Sequence, residues 1–595
     1  MIILGFNCYG HDSAASLVID GKVVFAVEEE RLNRKKHFGG VPLKAIEECL
    51  KFANIDLADV DHVTFFWKPS ISYTKIPVFF FKFWDKLPIL LREQSSFTVE
   101  ENLGMLNYLR DMNRLPETLR QAFPTKRPTK FKFHLLEHHM CHAASAFFPS
   151  PFEEAAILTI DGAGEWTTSL TGYGKGNKIT KLSTVDTPHS LGAFYQAVSR
   201  HLGFKLIEGP GKLMGLASYG NHDSEQYEKM KKLVKLTDEG GFEINMDYFS
   251  YHYTRKTGVT KKFTDLFGPS KTEGKDWSSH ELDVAAAAQH VVEDVILHMA
   301  RKLKEKTKSD NICIAGGVGL NSVTNGLIAK YEIFKNIFIQ PAAGDSGTAL
   351  GSALLYYHQT LNQPRNFVMD TAFLGNGYNE AEYEAALKQF DLPYVKTSAN
   401  YARFAAKKLA EGKILGWFQG RMEFGPRALG NRSIIGSPLV PNMKEVLNAR
   451  VKFREAFRPF AAIVLEEDCD KYFDCAYPNP YMLLVYHILP EFIGKLPAIT
   501  HVDNSVRIQT VNQTENPQLR ELLQAFKDET GYSVLVNTSF NIRGEPIVCS
   551  PYDAVRSFSL ADMDYLVMGN FIVAKKGDEK SLEAVNEGQM AVDKG

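Results

Sequence analysis

The chain has 595 residues, more than one hydrophobic core serves, so two or more domains are expected. Hydrophobic residues make up 44% and charged residues 23%, the balance of a soluble globular protein. The formal net charge of -2, with no basic tail or block, argues against a general nucleic-acid or anionic-membrane surface.

The first residues, Met1-Ile2-Ile3-Leu4-Gly5, read as a strand and not as a signal peptide. A polar loop at Gly10-His11-Asp12-Ser13 leads to a second strand over 14–19. Asp20-Gly21-Lys22 then turns into a third over 23–27, with the signature of a type I′ hairpin. An apolar stretch at 76–91 is interrupted by Lys82, Asp85 and Lys86 and is too short to span a membrane, so a packed helix is expected there. The strand-loop-strand plan recurs at 156–173, around Asp161-Gly162-Ala163-Gly164, and a third strand and loop end in Gly316-Gly317-Val318-Gly319. A long amphipathic helix over about 279–306 precedes that third loop. Repeated hairpins with glycine and acidic loops predict a duplicated α/β nucleotide-binding fold. A junction is expected over 361–378, a second α/β unit over 379–575, and a charged, disordered tail over 576–595. Seven scattered cysteines without paired metal spacing favour reduced thiols and a cytoplasmic location.

The chemistry begins at Glu137-His138-His139-Met140-Cys141-His142-Ala143. In a helix, His138 and His142 project from one face, one turn apart. With a carboxylate from a neighbouring loop they can hold a divalent transition metal and leave positions open for substrate. Asp161 and Asp345, each on a glycine-rich loop, complete a candidate set of four. The absence of thiolates weighs against structural zinc. An isolated pair of this spacing is equally read as packing within a buried helix.

Three glycine-rich stretches, at 208–215, 315–321 and 342–347, are candidate anion cradles or plain hinges. In the second half Arg421, Arg427, Arg432, Arg450, Arg454 and Arg458 crowd together with Lys452, and Arg507 and Arg543 follow. Planar guanidinium groups grip phosphate bidentately, whereas a solvated basic face is the alternative.

The motifs Gly10-His11-Asp12-Ser13, Glu28-Glu29-Glu30-Arg31 with Lys36-His37, the Glu137 to Ala143 block, 208–219, 316–321, 418–433 and Asn537-Thr538-Ser539-Phe540-Asn541 run in order through both halves. With them the chain resembles the carbamoyltransferases of nodulation-factor, cephalosporin and tobramycin type. The resemblance implies a duplicated actin-like, threonylcarbamoyl-transferase-like domain over 1–360 and a YrdC-like, carbamoyl-adenylate-forming domain over 379–575. It places His138, His142, Asp161 and Asp345 on the metal, expected to be Fe2+ or another divalent transition ion. Lys36, Gly317 and Asn321 match contacts to the carbamoyl adenylate. Arg427, Arg458 and Arg507 match the nucleotide and phosphate site, then Asn537 and Ser539, with Lys452, His501 and Arg543 secondary.

The implied reaction takes carbamoyl phosphate and ATP with Mg2+, forms carbamoyl adenylate, and carries it through a closed passage to the metal cleft. There a hydroxyl of a small acceptor, a natural product or a sugar-like molecule, is carbamoylated. His11 and Asp12 are candidate general bases, or else parts of an Asx-type turn. No nucleic-acid or membrane partner is expected, and a homodimer is one option for an oligomeric state left open. The competing readings are a threonylcarbamoyl-type tRNA-modifying enzyme and a sugar-kinase-like ATP-binding protein. A hydrogenase-maturation carbamoyltransferase would need an acylphosphatase segment and C-x-x-C pairs, which the sequence lacks.

Overall fold

A computed structural model describes residues 1–82, 84, 99–254, 258–272, 274, 276–397 and 401–582. The chain divides into two compact units, one of 1–29 and 37–369, the other of 30–36 and 370–595. Most of the expected tail, 583–595, lies outside the described residues, whereas Leu582 is buried in the core of the second unit. Among the described residues no helix is long and apolar enough to cross a membrane. The apolar stretch at 76–91 contributes the end of a helix, Pro69–Lys82, and its residues 83 and 85–91 lie outside the described residues.

The first unit repeats one plan. Strands β1 (Ile2–Asn7), β2 (Ala14–Ile19), β3 (Lys22–Glu28), β4 (His62–Phe65) and β5 (Lys132–Leu135) form a sheet in the order β3-β2-β1-β4-β5. The first three are an antiparallel meander, and β4 and β5 add in parallel on the other side of β1. Strands β6 (Glu154–Ile160), β7 (Thr167–Lys175) and β8 (Lys178–Asp186) form the second meander. A small hairpin, β9 (Val234–Leu236) and β10 (Phe242–Ile244), follows. Then β11 (Asn311–Ala315) and β12 (Asn336–Ile339) add in parallel, giving β12-β11-β6-β7-β8. Identical order and direction in the two sheets is the expected duplicated actin-like architecture. Asp20 and Gly21 both have positive φ, 47° and 81°, as a type I′ hairpin between β2 and β3 requires.

The helix Ser279–Thr307 starts on a complete capping box, Ser278 with Glu281, and ends at Lys308 in the left-handed region. The stretch at 208–215 is not an open cradle. It forms the helix Gly209–Ala217, because Pro210 presets the first turn and Leu213, Leu216 and Ala217 bury one face. The helices His138–Phe147 and Ser346–Leu354 are buried along their whole length. A Cβ on Gly351 would stand 2.0 Å from the carbonyl oxygen of Cys141, and one on Gly5 of β1 would stand 2.1 Å from that of Ala349. Backbone therefore lies on backbone at both contacts.

The second unit is built on nine strands. They are β13 (Tyr394–Lys396), β14 (Leu415–Phe418), β15 (Arg432–Gly436), β16 (Ala461–Leu465), β17 (Val485–His487), β18 (Ser505–Val511), β19 (Val534–Ser539), β20 (Tyr565–Met568) and β21 (Phe571–Ala574). Their order is β13-β21-β20-β14-β15-β19-β16-β18-β17, antiparallel except at β14/β20 and β16/β18. Helices Tyr401–Ala410 and Pro517–Thr530 cover one face through a core that includes Phe404, Trp417, Leu522 and Phe526. Residues 30–36 join this unit by hydrogen bonds to main-chain carbonyls. Arg31 Nη2 donates to Gly425 (3.0 Å), and the two Nη of Arg34 donate to Ile547 (2.6 Å) and Pro546 (2.8 Å).

Gly351→Ala is expected to cost about 2 kcal/mol, an overpacking penalty at a contact with no slack. Thermal unfolding should show a lowered Tm for it, and an unchanged Tm would mean the two helices can part at no cost.

Candidate functional site

The helix His138–Phe147 starts without a side-chain N-cap of its own; Glu137 is merely extended. Glu165 supplies the missing acceptor, taking the His138 amide at 3.1 and 3.2 Å and the Lys68 amide at 2.7 Å. Burial pushes the Glu165 carboxyl up, against the pull of His138 and of these amides. The arrangement turns His138 and His142 the same way, with their Nε2 atoms 3.1 Å apart. Asp161, just past β6, reaches them with Oδ2 at 2.8 Å from His142 and 3.5 Å from His138. Asp345, just before the helix Ser346–Leu354, brings Oδ1 to 3.7 and 3.8 Å. All four ligand atoms lie within 4.8 Å of one another.

Two imidazole nitrogens and two carboxylate oxygens converging on one point fit a divalent transition ion such as iron, manganese or zinc. The geometry agrees: Oδ2 of Asp161 is buried without a hydrogen bond, though it lies at ion-pair distance from His142. The two Nδ1 atoms are also buried without hydrogen-bond partners. The rings are thus oriented by packing and not by the usual outer hydrogen bond. Phe66 and Trp67 stand 5.3 and 5.4 Å from the His138 ring. Burial alone would push the His142 pKa down, but Asp161 and Asp345 pull it up to about 9. Burial likewise opposes the Asp161 charge, and His138 and His142 overcome it, holding the carboxyl well below its usual range. His139 takes no part. Burial lowers its pKa well below the usual value, and its Nδ1 is bonded to Thr159 Oγ1 at 2.7 Å.

The loop between β1 and β2 is tied by Asn7, which accepts from the Ala14 amide at 2.8 Å and donates to the Asp12 carbonyl at 3.1 Å. Asp12 itself sits at φ 55°, with one carboxylate oxygen on His37 Nδ1 (2.8 Å) and the other on His11 Nδ1 (2.9 Å). Burial opposes its charge, but the two imidazoles hold the carboxyl below its usual range. With both oxygens engaged it orients His11 and is a poor base. Burial works against protonation of His11, yet Asp12, Asp345 and Asp161 draw its pKa up to about 10. A Cβ on Gly317 would meet Asp161 Oδ1 at 3.0 Å, so that glycine guards the cluster. Asn321 caps the helix Ser322–Lys330 through Thr324 and exchanges hydrogen bonds with Gln289.

Lys36 belongs to the second unit, carried there by the Arg31 and Arg34 hydrogen bonds, where its charge helps depress Lys452. Arg427, Lys452, Arg454, Arg458 and Arg507 form one mutually repelling cluster. Burial, then Arg458, brings Arg427 down to about 10 and Arg454 to about 9. Burial, then Arg427, Arg454 and Arg458, depresses Arg507 well below its usual value. Nε of Arg427 and of Arg507 are buried without hydrogen-bond partners. Such uncompensated donors suit a bound polyanion. Ser539 and Asn541 hold Lys452 Nζ, at 3.2 and 2.7 Å, and Asn537 donates to the Ala428 carbonyl at 3.0 Å while its Oδ1 is buried and unbonded. His501 is buried and Arg543 exposed.

The arginine-rich stretch is two populations. Arg432 is 0% exposed, donates to the main-chain carbonyls of Gln419, Asn431, Asn376, Gly420 and Cys549, and lies 3.7 Å over the Phe418 ring. Arg421 donates to the carbonyls of Leu374 and Gly375, and Arg450 pairs with Asp562. These three hold structure. Glu423, whose role the sequence reading missed, accepts the amides of Leu429, Asn431 and Arg432 through one oxygen and so shapes the loop that presents Arg427. Its signal was its place inside the Gly-Arg-Met-Glu-Phe-Gly-Pro-Arg run.

Residues 2–354 match the carbamoyltransferase N-terminus family and residues 406–575 the carbamoyltransferase C-terminus family. The chain belongs to the carbamoyltransferase family. It is 43% identical to an uncharacterized protein of Synechocystis, over 96% of each chain. It is 35% identical to nodulation protein NolNO of Sinorhizobium fredii, over 96% of this chain and 80% of that one. It is also 31% identical to the 3'-hydroxymethylcephem-O-carbamoyltransferase of Streptomyces clavuligerus, over 64% of this chain and 73% of that one.

Two outcomes follow for this carbamoyltransferase. His142, with its pKa near 9, must shed a proton before it can bind an ion, so protons compete with metal below that pH. Calorimetric Mn2+ affinity of the metal-free enzyme should rise by up to roughly tenfold per pH unit towards pH 9 and level off above it, and His142→Ala should abolish the rise. Arg507→Met should raise the Tm of the ligand-free enzyme, by the equivalent of about 1–2 kcal/mol, because it removes an uncompensated buried charge. Inorganic triphosphate should stabilise the parent against heat, and the same variant should lose that stabilisation.

Proposed function

We propose that this carbamoyltransferase makes carbamoyl adenylate from carbamoyl phosphate and ATP on the second unit and transfers the carbamoyl group to a small-molecule hydroxyl on the first. The observation that carries the reading is the cationic cluster of Arg427, Lys452, Arg454, Arg458 and Arg507. A site that concentrates this much positive charge is suited to two polyanionic substrates together. Hydrolysis of carbamoyl phosphate releases phosphate and carbamate, the carbamate oxygen attacks the α-phosphorus of ATP, and pyrophosphate leaves. ATP would enter as its magnesium complex. The arginines neutralise charge on the transferring adenylyl group, and because Glu423 shapes the loop of Arg427 and Ser539 holds Lys452 beforehand, little reorganisation is needed at that moment.

On the first unit His138, His142, Asp161 and Asp345 would hold the metal. Once bound, it supplies Lewis acidity towards the carbamoyl and phosphate oxygens. Gly317 keeps the space beside Asp161 clear of a side chain. His11 is the candidate to take the proton of the acceptor hydroxyl as that oxygen attacks the carbamoyl carbon and AMP leaves, with Asp12 holding the imidazole in place. Neutralisation of Asp161 and Asp345 would remove two of the charges that raise the His11 pKa. The acceptor is a hydroxylated small molecule; a net charge of -2 offers nothing for tRNA.

The two half-reactions should separate by mutation. ATP should yield AMP and pyrophosphate only with carbamoyl phosphate present. Arg427→Ala or Arg507→Ala should cut that conversion by at least about a hundredfold, in line with loss of a charge-stabilising donor. His142→Ala should still release pyrophosphate but transfer no carbamoyl group, as mass spectrometry of hydroxylated acceptors would show. Full transfer by His142→Ala, or AMP formation indifferent to carbamoyl phosphate, contradicts the scheme.

A further inference from the structure

Phe453 lies between two members of the cationic cluster, Lys452 and Arg454, and its conformation is unexpected for its size. It closes the π-helical turn Leu447–Lys452 in the left-handed region, at φ 47° and ψ 51°. Its amide donates to the carbonyl of Asn448, and the Arg454 amide shares that acceptor at 3.2 Å. The turn therefore requires left-handed backbone here, a place where glycine or asparagine fits freely and a bulky side chain is strained. The phenyl group gains only partial burial in return, being 51% exposed. Neither the local backbone nor the core accounts for a phenylalanine at this position, and strain kept at a ligand site points to use.

The cluster meets the needs of a phosphate chain. Its arginine and lysine donors suit phosphate oxygens, whereas an exposed aromatic ring one residue from both Lys452 and Arg454 can stack any nucleobase and gains little from phosphate alone. We propose that Phe453 is the stacking platform for the purine ring of the nucleotide whose phosphates Arg427, Arg454, Arg458 and Arg507 hold. The assignment rests on the ATP site proposed above and adds a base-recognising residue to it.

The test compares Mg-ATP with inorganic triphosphate, which offers the same kind of charge without a base. Calorimetric Kd values are measured on the full chain for the parent, Phe453→Gly and Phe453→Trp. Glycine keeps the left-handed turn without strain, so that variant should fold and unfold at a Tm no lower than the parent. The expected result is ATP binding weakened roughly tenfold or more in Phe453→Gly, triphosphate unchanged within about twofold, and ATP affinity retained in Phe453→Trp. Unchanged ATP binding in Phe453→Gly overturns the assignment. So does equal weakening of both ligands, which would make Phe453 a shaper of the phosphate pocket. A parent that binds triphosphate as tightly as ATP has no base site and also overturns it. A parent that binds neither ligand defeats the ATP site itself along with the assignment.

Discussion

The approach of the helix Ser346–Leu354 to the helix His138–Phe147 governs the first unit. At Gly351 a methyl group would fall 2.0 Å from a carbonyl oxygen of the opposing helix, so the pair can be this close only with a hydrogen in that place. The closeness has a chemical consequence. Asp345 leads one helix and His138 and His142 ride on the other, so the spacing of two backbones sets the distance between a carboxylate and two imidazoles. Gly5 of β1 repeats the device against Ala349, on the sheet side of the same helix. A helix wedged between backbone on two sides has little room to drift, and the backbone that carries Asp345 is held with it. That is the pre-organisation a transfer site needs.

The two candidate sites handle buried charge in opposite ways. Around His138 and His142 the charges compensate one another. Asp161 and Asp345 raise one imidazole while the imidazoles depress Asp161, so the cluster tolerates its burial before any ligand arrives. In the second unit burial, and then the repulsion of neighbouring cations with Arg458 among them, depresses Arg427, Arg454, Arg507 and Lys452, and Glu455 stands 3.9 Å from Arg458. That cluster is a standing cost to folding, sustained by the sheet and by Glu423, and a polyanion relieves it. A self-neutral site suits a resident ion. One with a surplus of positive charge suits substrates that come and go, because binding energy is realised only while they are present.

Much of this was legible in the sequence wherever the signal is local. The i, i+4 spacing of His138 and His142, the type I′ turn at Asp20-Gly21 and the long helix from Ser279 each depend on a few neighbouring residues, and each is found as read. Asp161 and Asp345 could be named because strand ends followed by glycine are where α/β folds place ligands. Signals decided at long range could not be read. Arg432 looks like its neighbour Arg427 in sequence, but its acceptors are main-chain carbonyls near positions 376, 419 and 549, which only the folded sheet brings together. At 209 and 211 the signal was local but double, because the glycines left a cradle or a hinge open while Pro210 and the apolar spacing behind it made a helix.

Lys36 carries the strongest lesson about how the chain is divided. The family matches cover residues 2–354 and 406–575, which suggests two beads on one connection. The structure crosses between units three times, after Glu29, after Lys36 and after Met369. The short excursion is held by arginines whose acceptors, Gly425, Pro546 and Ile547, are hundreds of residues away in sequence. A chain cut at 369 would leave Arg31 and Arg34 without those carbonyls. It would also leave the cationic cluster without Lys36, one of the charges that depress Lys452. The second unit is therefore complete only when the first thirty-six residues are present, and the two halves of the family cannot be separated at the linker without taking a piece of one away from the other.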